Sequence, residues 1–164
     1  HITVRSRTGE GSTFSLWLPA AATYAAPPVP PPASTAAAAA ARVLLLDDEQ
    51  PIRALARRML EYYGYRVATV AHGQEAVRVA EEALRAGDPF DFAILDLTIP
   101  GGMGGKDALR ELRKSHPRLK AVVMSGYSTD PVMAQFRDYG FDGILAKPFG
   151  LRELRAALAQ ASSA

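Results

Sequence analysis

The chain has 164 residues, of which 48% are hydrophobic and 22% charged, with a formal net charge of +2 at pH 7. These proportions are typical of a globular domain, and so small a charge gives no reason to expect nucleic-acid binding. The absence of cysteine excludes disulfides, thiolate metal sites and cysteine nucleophiles, and no apolar run reaches the roughly 18 residues of a membrane span, so we expect no membrane contact.

The first 19 residues alternate apolar and polar side chains on either side of the turn-rich segment TGEGS. Ile2 and Val4 precede this segment, and Phe14, Leu16 and Leu18 follow it. The pattern predicts a β-hairpin. Because a lone hairpin is only marginally stable in water, and because residue 1 is His rather than Met, we expect the chain to be part of a longer protein.

A second segment, residues 20–41, consists mainly of proline and alanine and shows no apolar periodicity. Consecutive prolines favour the extended polyproline II conformation, which makes a semi-rigid spacer. We therefore interpret this segment as a linker between two domains.

Beyond the linker, residues 42–164 contain five apolar runs, each followed by a stretch with helical periodicity. Such an alternation predicts an α/β fold, because parallel strands covered on both faces are apolar throughout. The expected architecture is a doubly wound, flavodoxin-like, five-stranded parallel sheet of order 2-1-3-4-5 with helices on both faces. The predicted strands span residues 42–48, 65–70, 92–96, 119–125 and 142–148.

Carboxylates follow two of these strands. Asp47 and Asp48 end the first strand and Asp96 ends the third, and the predicted order makes these strands neighbours at the point where ligands bind such sheets. Two unit charges about 4 Å apart repel by roughly 4 kcal/mol at an effective dielectric of 20. The cluster should therefore bind a proton or a cation, and its oxygen ligands suit Mg²⁺, with Mn²⁺ as a possible substitute.

Two further polar residues end the remaining strands of the predicted site. Ser125 ends the fourth strand, about 4.8 Å from the third, and Lys147 ends the fifth, two spacings away and within reach of a long side chain. A carboxylate nucleophile beside a divalent cation, a hydroxyl and an ammonium can perform phosphoryl transfer. We therefore predict that Asp96 accepts a phosphoryl group.

The motifs LLLDDE, FAILDLTIP, VVMSGYS and LAKPF, in this order, resemble the receiver domain of two-component response regulators over residues 42–161. The resemblance implies that Asp96 is phosphorylated in a bacterial phosphorelay. It also implies that Asp48 and Asp96 bind Mg²⁺ directly together with the Thr98 carbonyl, while Asp47 acts mainly through water.

The same resemblance assigns roles to the second half of the site. Lys147 would hold a phosphoryl oxygen, the peptide bond after it would be cis, and Ser125 would turn toward the phosphoryl group. Many receivers carry Tyr or Phe at the switch position, where this chain has Ile144. We therefore hypothesise that Tyr127, the nearest aromatic residue after Ser125, takes part in the switch.

The hairpin resembles the end of a histidine-kinase ATP-binding domain, through GEGSTF at 9–14 and the LP at 18–19. The resemblance implies a hybrid sensor kinase with a kinase tail at 1–19, a linker at 20–41 and a receiver at 42–164. The expected partners are a phosphohistidine domain of its own or a cognate kinase and a histidine phosphotransfer protein, and the expected location is the cytoplasm. Without a complete kinase domain, the sequence leaves open whether the chain itself is an enzyme.

Two rival functions remain open at this point. A phosphatase of the haloacid dehalogenase type also uses an aspartate nucleophile with Mg²⁺, but that family has a second Asp where this chain has Thr98. A degenerate receiver that only binds partners would not need the intact polar set at the strand ends.

Other charged residues are interpreted as surface residues. Arg53, Arg57 and Arg58 fit the solvated face of the first helix after the linker. The three histidines show no spacing typical of metal ligands, so we expect each to lie on the surface, without a phosphoacceptor role: His1, His72 and His116.

Overall fold

The computed structural model describes residues 1–18, 41–126 and 131–163. The chain divides into two compact units within the proline-rich segment. The first contains an antiparallel hairpin of β1 (Ile2–Arg7) and β2 (Gly11–Leu16), in which Val4 is paired with Phe14. Apart from Ala41, the predicted linker lies outside the described residues.

The second unit contains a five-stranded parallel sheet of order β4-β3-β5-β6-β7. Counted within this unit, the order is 2-1-3-4-5, so the predicted fold is confirmed. Its strands are β3 (Arg42–Leu46), β4 (Arg66–Val70), β5 (Phe92–Asp96), β6 (Lys120–Ser125) and β7 (Gly143–Ala146).

Helices follow the strands and cover both faces of the sheet. Along β3, Leu44 and Leu46 belong to one buried cluster, while Val43 and Leu45 belong to the other. Alternate residues of a strand point to opposite faces, so a strand buried on both sides must be apolar throughout. The helices are α1 (Gln50–Tyr62), α2 (Gly73–Arg85), α3 (Gly105–Ser115), α4 (Pro131–Ala134) and α5 (Leu151–Ser163).

The apolar residues Val132, Met133 and Phe136 have helical spacing, yet α4 ends at Ala134. The next residues form turns closed by hydrogen bonds between residues three apart, such as that from the Tyr139 amide to the Phe136 carbonyl. Apolar spacing does not distinguish these tight turns from an α-helix, since both bring every third or fourth side chain to the same face.

Close contact between β7 and α5 requires a glycine at position 143. A Cβ atom added there would lie 2.7 Å from the Ala157 carbonyl oxygen and 3.3 Å from a methyl carbon of Val122. Gly143→Ala should therefore lower the free energy of unfolding by about 1–3 kcal/mol, as overpacking does in other cores. Urea unfolding of Gly126→Ala gives the control, because no atom lies within 4 Å of a Cβ added there. Equal losses in both variants would contradict this account.

Candidate functional site

Three carboxylates lie together at the carboxyl edge of the sheet. β3 and β5 are paired with Leu46 opposite Leu95, so the residues that follow these two leucines leave the sheet side by side. Carboxylate oxygens of Asp47, Asp48 and Asp96 lie within 4.8 Å of one another. Asp47 and Asp96 are buried, at 0% and 5% exposure, and Asp48 is half-buried. The structure thus brings the three predicted acids into one cluster.

Lys147 reaches this cluster from the end of the edge strand β7, two strands away from β5. Its Nζ donates a hydrogen bond to Asp96 Oδ2 at 2.6 Å and lies 2.7 Å from Asp47 Oδ2 and 3.9 Å from Glu49 Oε1. Its backbone amide donates to the Ser125 carbonyl, which holds the residue at the end of β6, and the bond to Pro148 is cis. One ammonium group therefore faces two buried carboxylates.

Protonation at the cluster depends on burial and on these contacts. Burial raises the pKa of Asp96 above its ordinary value, and the charge of Asp47 adds to this, although Lys147 acts in the opposite direction. For Lys147, burial lowers the pKa, but the close contacts with both carboxylates and their charges outweigh it and raise the pKa above its ordinary value. The ammonium group stays charged, and because it faces more than one carboxylate, it does not neutralise the whole cluster.

The donor set at this edge fits a hard divalent cation. Asp47 Oδ1 accepts a hydrogen bond from the Glu49 amide, but Oδ2 is buried and, despite its ion pair with Lys147, has no well-directed hydrogen bond within the described residues. The cluster opens into a cavity of about 560 Å³, and oxygen ligands with excess negative charge suit Mg²⁺. The cavity is lined by Asp48, Glu49, Asp96, Thr98, Pro100, Gly126 and Lys147.

The remaining predicted ligand lies in the loop after β5. Thr98 lines the cavity, and its amide lies 3.4 Å from Asp96 Oδ1, to which it donates. A Cβ atom added at Gly104 would lie only 2.1 Å from the Leu97 carbonyl oxygen, so this loop folds back on itself directly beside Thr98. The glycine-rich sequence is therefore needed for the close approach that brings Thr98 to the site.

The predicted switch residues occupy different surroundings. Ser125 is 1% exposed at the end of β6, next to β5, where Met124 is paired with Asp96. Ile144 lies half-buried in the edge strand β7, and its amide donates to Gln160 Oε1 of α5 at 3.3 Å. Tyr127 lies outside the described residues.

One arginine was missed by the sequence interpretation. Arg53 is half-buried rather than solvated, and its Nη1 donates to the backbone carbonyl oxygens of Asp47 at 2.5 Å and Asp48 at 2.7 Å. Arg57 and Arg58 are exposed, as expected. Its position in the sequence could have indicated this contact, because Arg53 lies in the first turn of a helix that begins directly after the two acids.

The surface prediction is also wrong for one histidine. His116 is only 5% exposed, at the end of α3, and its Nδ1 forms a hydrogen bond of 2.9 Å with Ser115 Oγ. His1 is exposed and His72 is half-buried. Helical periodicity cannot indicate this burial, because His116 is the C-cap of α3 and lies beyond its last helical residue.

Within the described ranges, no helix combines the length and the apolar character that crossing a membrane would require.

Comparison with known sequences identifies relatives of this chain. The profile of the response regulator receiver domain matches residues 43–159. The sensor kinase CckA of Brucella abortus is 34% identical over 157 residues, which covers 91% of this chain and 16% of that kinase. The transcriptional regulatory protein KdpE of Mycobacterium tuberculosis is 38% identical over 109 residues, which covers 66% of this chain and 45% of that protein. The chain thus spans less than half the length of either relative.

Solved structures give the same result. The chemotaxis response regulator CheY4 of Vibrio cholerae is 28% identical, with a TM-score of 0.64 over 74% of this chain and 98% of that one. The receiver domain of the sensor histidine kinase PA1611 from Pseudomonas aeruginosa, solved with a magnesium ion in its active-site cleft, is also 28% identical, with a TM-score of 0.64 over 76% of this chain and 98% of that one. With the profile match over most of its length, this chain belongs to the response regulator receiver domain family.

Proposed function

We propose that this receiver takes a phosphoryl group from a phosphohistidine onto the carboxylate of Asp96, in a reaction that requires Mg²⁺. The observation that carries the proposal is the position of Asp96, buried at the sheet edge within 4.8 Å of two other carboxylates and 2.6 Å from an ammonium group. Ionisable groups with shifted pKa values that converge in a cavity are typical of a reaction site.

The proposed metal ligands are the carboxylates of Asp48 and Asp96 and the carbonyl of Thr98, with Asp47 acting through water. All four residues lie at the carboxyl edge of β3 and β5. When bound, Mg²⁺ would neutralise negative charge on the phosphoryl oxygens. Mn²⁺ takes the same oxygen ligands and should substitute for it.

The transfer step follows from this arrangement. A carboxylate oxygen of Asp96 forms a bond to phosphorus while the bond from phosphorus to the imidazole nitrogen of the donor breaks, and the electron pair of that bond stays with the imidazole. The ammonium of Lys147, which in this structure binds Asp96 Oδ2, is placed to pair with an oxygen of the transferred group. The product is an acyl phosphate on Asp96.

We propose that the switch begins at the phosphoryl group, which brings about −1.5 to −2 charges into the site. The hydroxyl of Ser125, buried at the neighbouring strand end, would turn toward the new oxygens. Ile144 has no aromatic ring, and for that reason we assign the aromatic part of the switch to Tyr127.

We also propose that the chain is part of a hybrid kinase, with a kinase tail at 1–19, a linker at 20–41 and the receiver at 42–164. Residues 42–164 make up 123 of 164 residues, or 75% of the chain, so the match to CckA over 91% extends into the part before the receiver. Phe14 and Val4 are paired in the hairpin yet 72% and 57% exposed, which is the pattern of a sheet face that another part of a domain covers.

A tethered receiver has its phosphate donor close by. Flexible linkers give effective concentrations near the millimolar range, so a weak encounter with the phosphohistidine of its own kinase suffices for transfer. A cognate kinase or a separate histidine phosphotransfer protein would be the alternative partner for the same carboxylate.

Phosphorylation by a small donor tests the acceptor role. Incubation with acetyl phosphate and Mg²⁺ should add one phosphoryl group, measured by intact mass, and Asp96→Asn or excess EDTA should abolish the addition. Asp91→Asn, a matched change just before the same strand at its opposite end, should leave the addition intact. Labelling of Asp96→Asn to the wild-type level would refute the assignment, and sustained hydrolysis of a generic phosphate ester would favour a phosphatase.

The raised pKa of Asp96 makes a prediction about stability. Its ionised form is disfavoured in the folded protein, so metal-free stability falls as pH rises through the folded pKa. Asp96→Asn should therefore raise the free energy of unfolding in EDTA at pH 7, by roughly 1 kcal/mol, as happens when an undercompensated buried charge is removed. The advantage should shrink at low pH, where the wild-type carboxyl is protonated. Urea titrations at pH 7 and pH 4 measure this difference in the free energy of unfolding. A larger gain from Asp96→Asn at pH 4 than at pH 7 would contradict the prediction.

The kinase context has its own test in the full-length natural protein. Incubation with radiolabelled ATP should give label on histidine, which is acid-labile, and label on Asp96, which is alkali-labile. Asp96→Asn should retain the first and lose the second. A full-length protein that ATP leaves unlabelled, while acetyl phosphate still labels Asp96, would contradict the hybrid-kinase proposal and leave the receiver assignment intact.

A further inference from the structure

Arg53, in the first turn of α1, binds the backbone of the two residues that precede Glu49. A single nitrogen, Nη1, donates to the carbonyl oxygens of Asp47 and Asp48 at 2.5 and 2.7 Å, and the side chain is half-buried. Its backbone amide also donates to the Glu49 carbonyl at 3.0 Å. The residue therefore ties the start of α1 to the strand end that carries the acidic pair.

Asp47 is held by its own amide, which donates to the Val70 carbonyl, and by its carboxylate, which accepts from the Glu49 amide, but Asp48 has few restraints other than Arg53. Glu49 is the N-cap of α1, yet its side chain makes no capping hydrogen bond, and Pro51 has no amide hydrogen to donate. The Asp48 carboxylate makes no hydrogen bond to any other described residue, so its direction follows from the backbone that carries it. That backbone is held at its two carbonyls by Arg53.

We propose that Arg53 is a positioning residue for the metal site, which orients the Asp48 carboxylate toward Mg²⁺ by fixing the backbone of the acidic pair. The inference rests on the proposed function, because it needs Mg²⁺ to bind at these acids. Groups that hold metal ligands from behind commonly change metal affinity 10–100-fold when they are removed.

The positioning role can be distinguished from a purely electrostatic effect, because the two predict opposite changes in Mg²⁺ affinity when Arg53 is removed. Arg53 carries a positive charge next to a cation site, and like charges repel. If the guanidinium acted only through its charge, its removal would tighten Mg²⁺ binding. If it acts by orienting the acids, its removal weakens binding, and only the second effect fits the proposed role.

The test measures Mg²⁺ binding directly, by calorimetric titration of the full chain. Arg53→Met should raise the Mg²⁺ dissociation constant about 10-fold. Arg53→Lys keeps the charge, but its side chain is one atom shorter than that of arginine and reaches the two carbonyls less well, so it should fall between Arg53→Met and the wild type. Arg58→Met is the matched control, since it removes the same charge from an exposed position of the same helix and should leave the dissociation constant unchanged.

A second measurement needs no metal. In EDTA, the Glu49 amide is held by Asp47 Oδ1 at 2.8 Å, so its hydrogen exchange reports the order of the acidic segment. Exchange at Glu49 should quicken in Arg53→Met and in Arg53→Lys, with exchange in the central strands unchanged. This pattern separates local loss of order from global unfolding, which would speed exchange everywhere.

The outcomes separate the two proposals. If the wild type binds Mg²⁺ and Arg53→Met binds it equally well or more tightly, the positioning role is wrong and the proposed function stands. If the wild type does not bind Mg²⁺, the proposed function itself fails. If saturating Mg²⁺ restores the rate of phosphorylation of Arg53→Met by acetyl phosphate, the defect lies in metal affinity, as proposed, whereas a defect that persists at saturation contradicts it.

Discussion

The ion contacts of Lys147 with Asp47 and Asp96 are the constraint on which the site depends. Two buried carboxylates would be too costly without a partner, and a single ammonium at 2.6 and 2.7 Å compensates only part of their charge. The remaining negative charge makes the edge receptive to a cation, and the raised pKa of Asp96 expresses the same imbalance. The reactivity that we propose for this edge would therefore be a consequence of incomplete charge compensation.

The sheet makes this imbalance tolerable. β3 and β5 are central strands, buried on both faces, and their pairing fixes where the acids emerge without any contribution from the acids themselves. Apolar burial on both faces stabilises the strands, so the electrostatic cost at their ends is offset by packing elsewhere. This division of roles is common at functional sites, which are held in place by the stability of the surrounding fold.

The sheet and the cluster could be predicted from sequence because each depends on a local pattern. Continuous apolar runs indicate strands buried on both faces, and a polar residue at the end of such a run must lie at the sheet edge. Arg53 and His116 were misread because periodicity assigns a face of the helix, whereas their surroundings depend on how the helix ends meet the strands. Apolar spacing does not give the end of α4, because the tight turns that follow it carry the same spacing.

The two halves of the site differ in how firmly the structure holds them. The acids emerge from the central strands β3 and β5, whereas Lys147 follows β7, a four-residue edge strand that is paired only with β6. The preceding element, α4, is a single turn. Segments with few paired backbone groups open at lower free energy than core strands. The strands that carry the acids should therefore move less than β7, which precedes Lys147. When charge is added at Asp96, we expect the conformational change to occur mainly at β7.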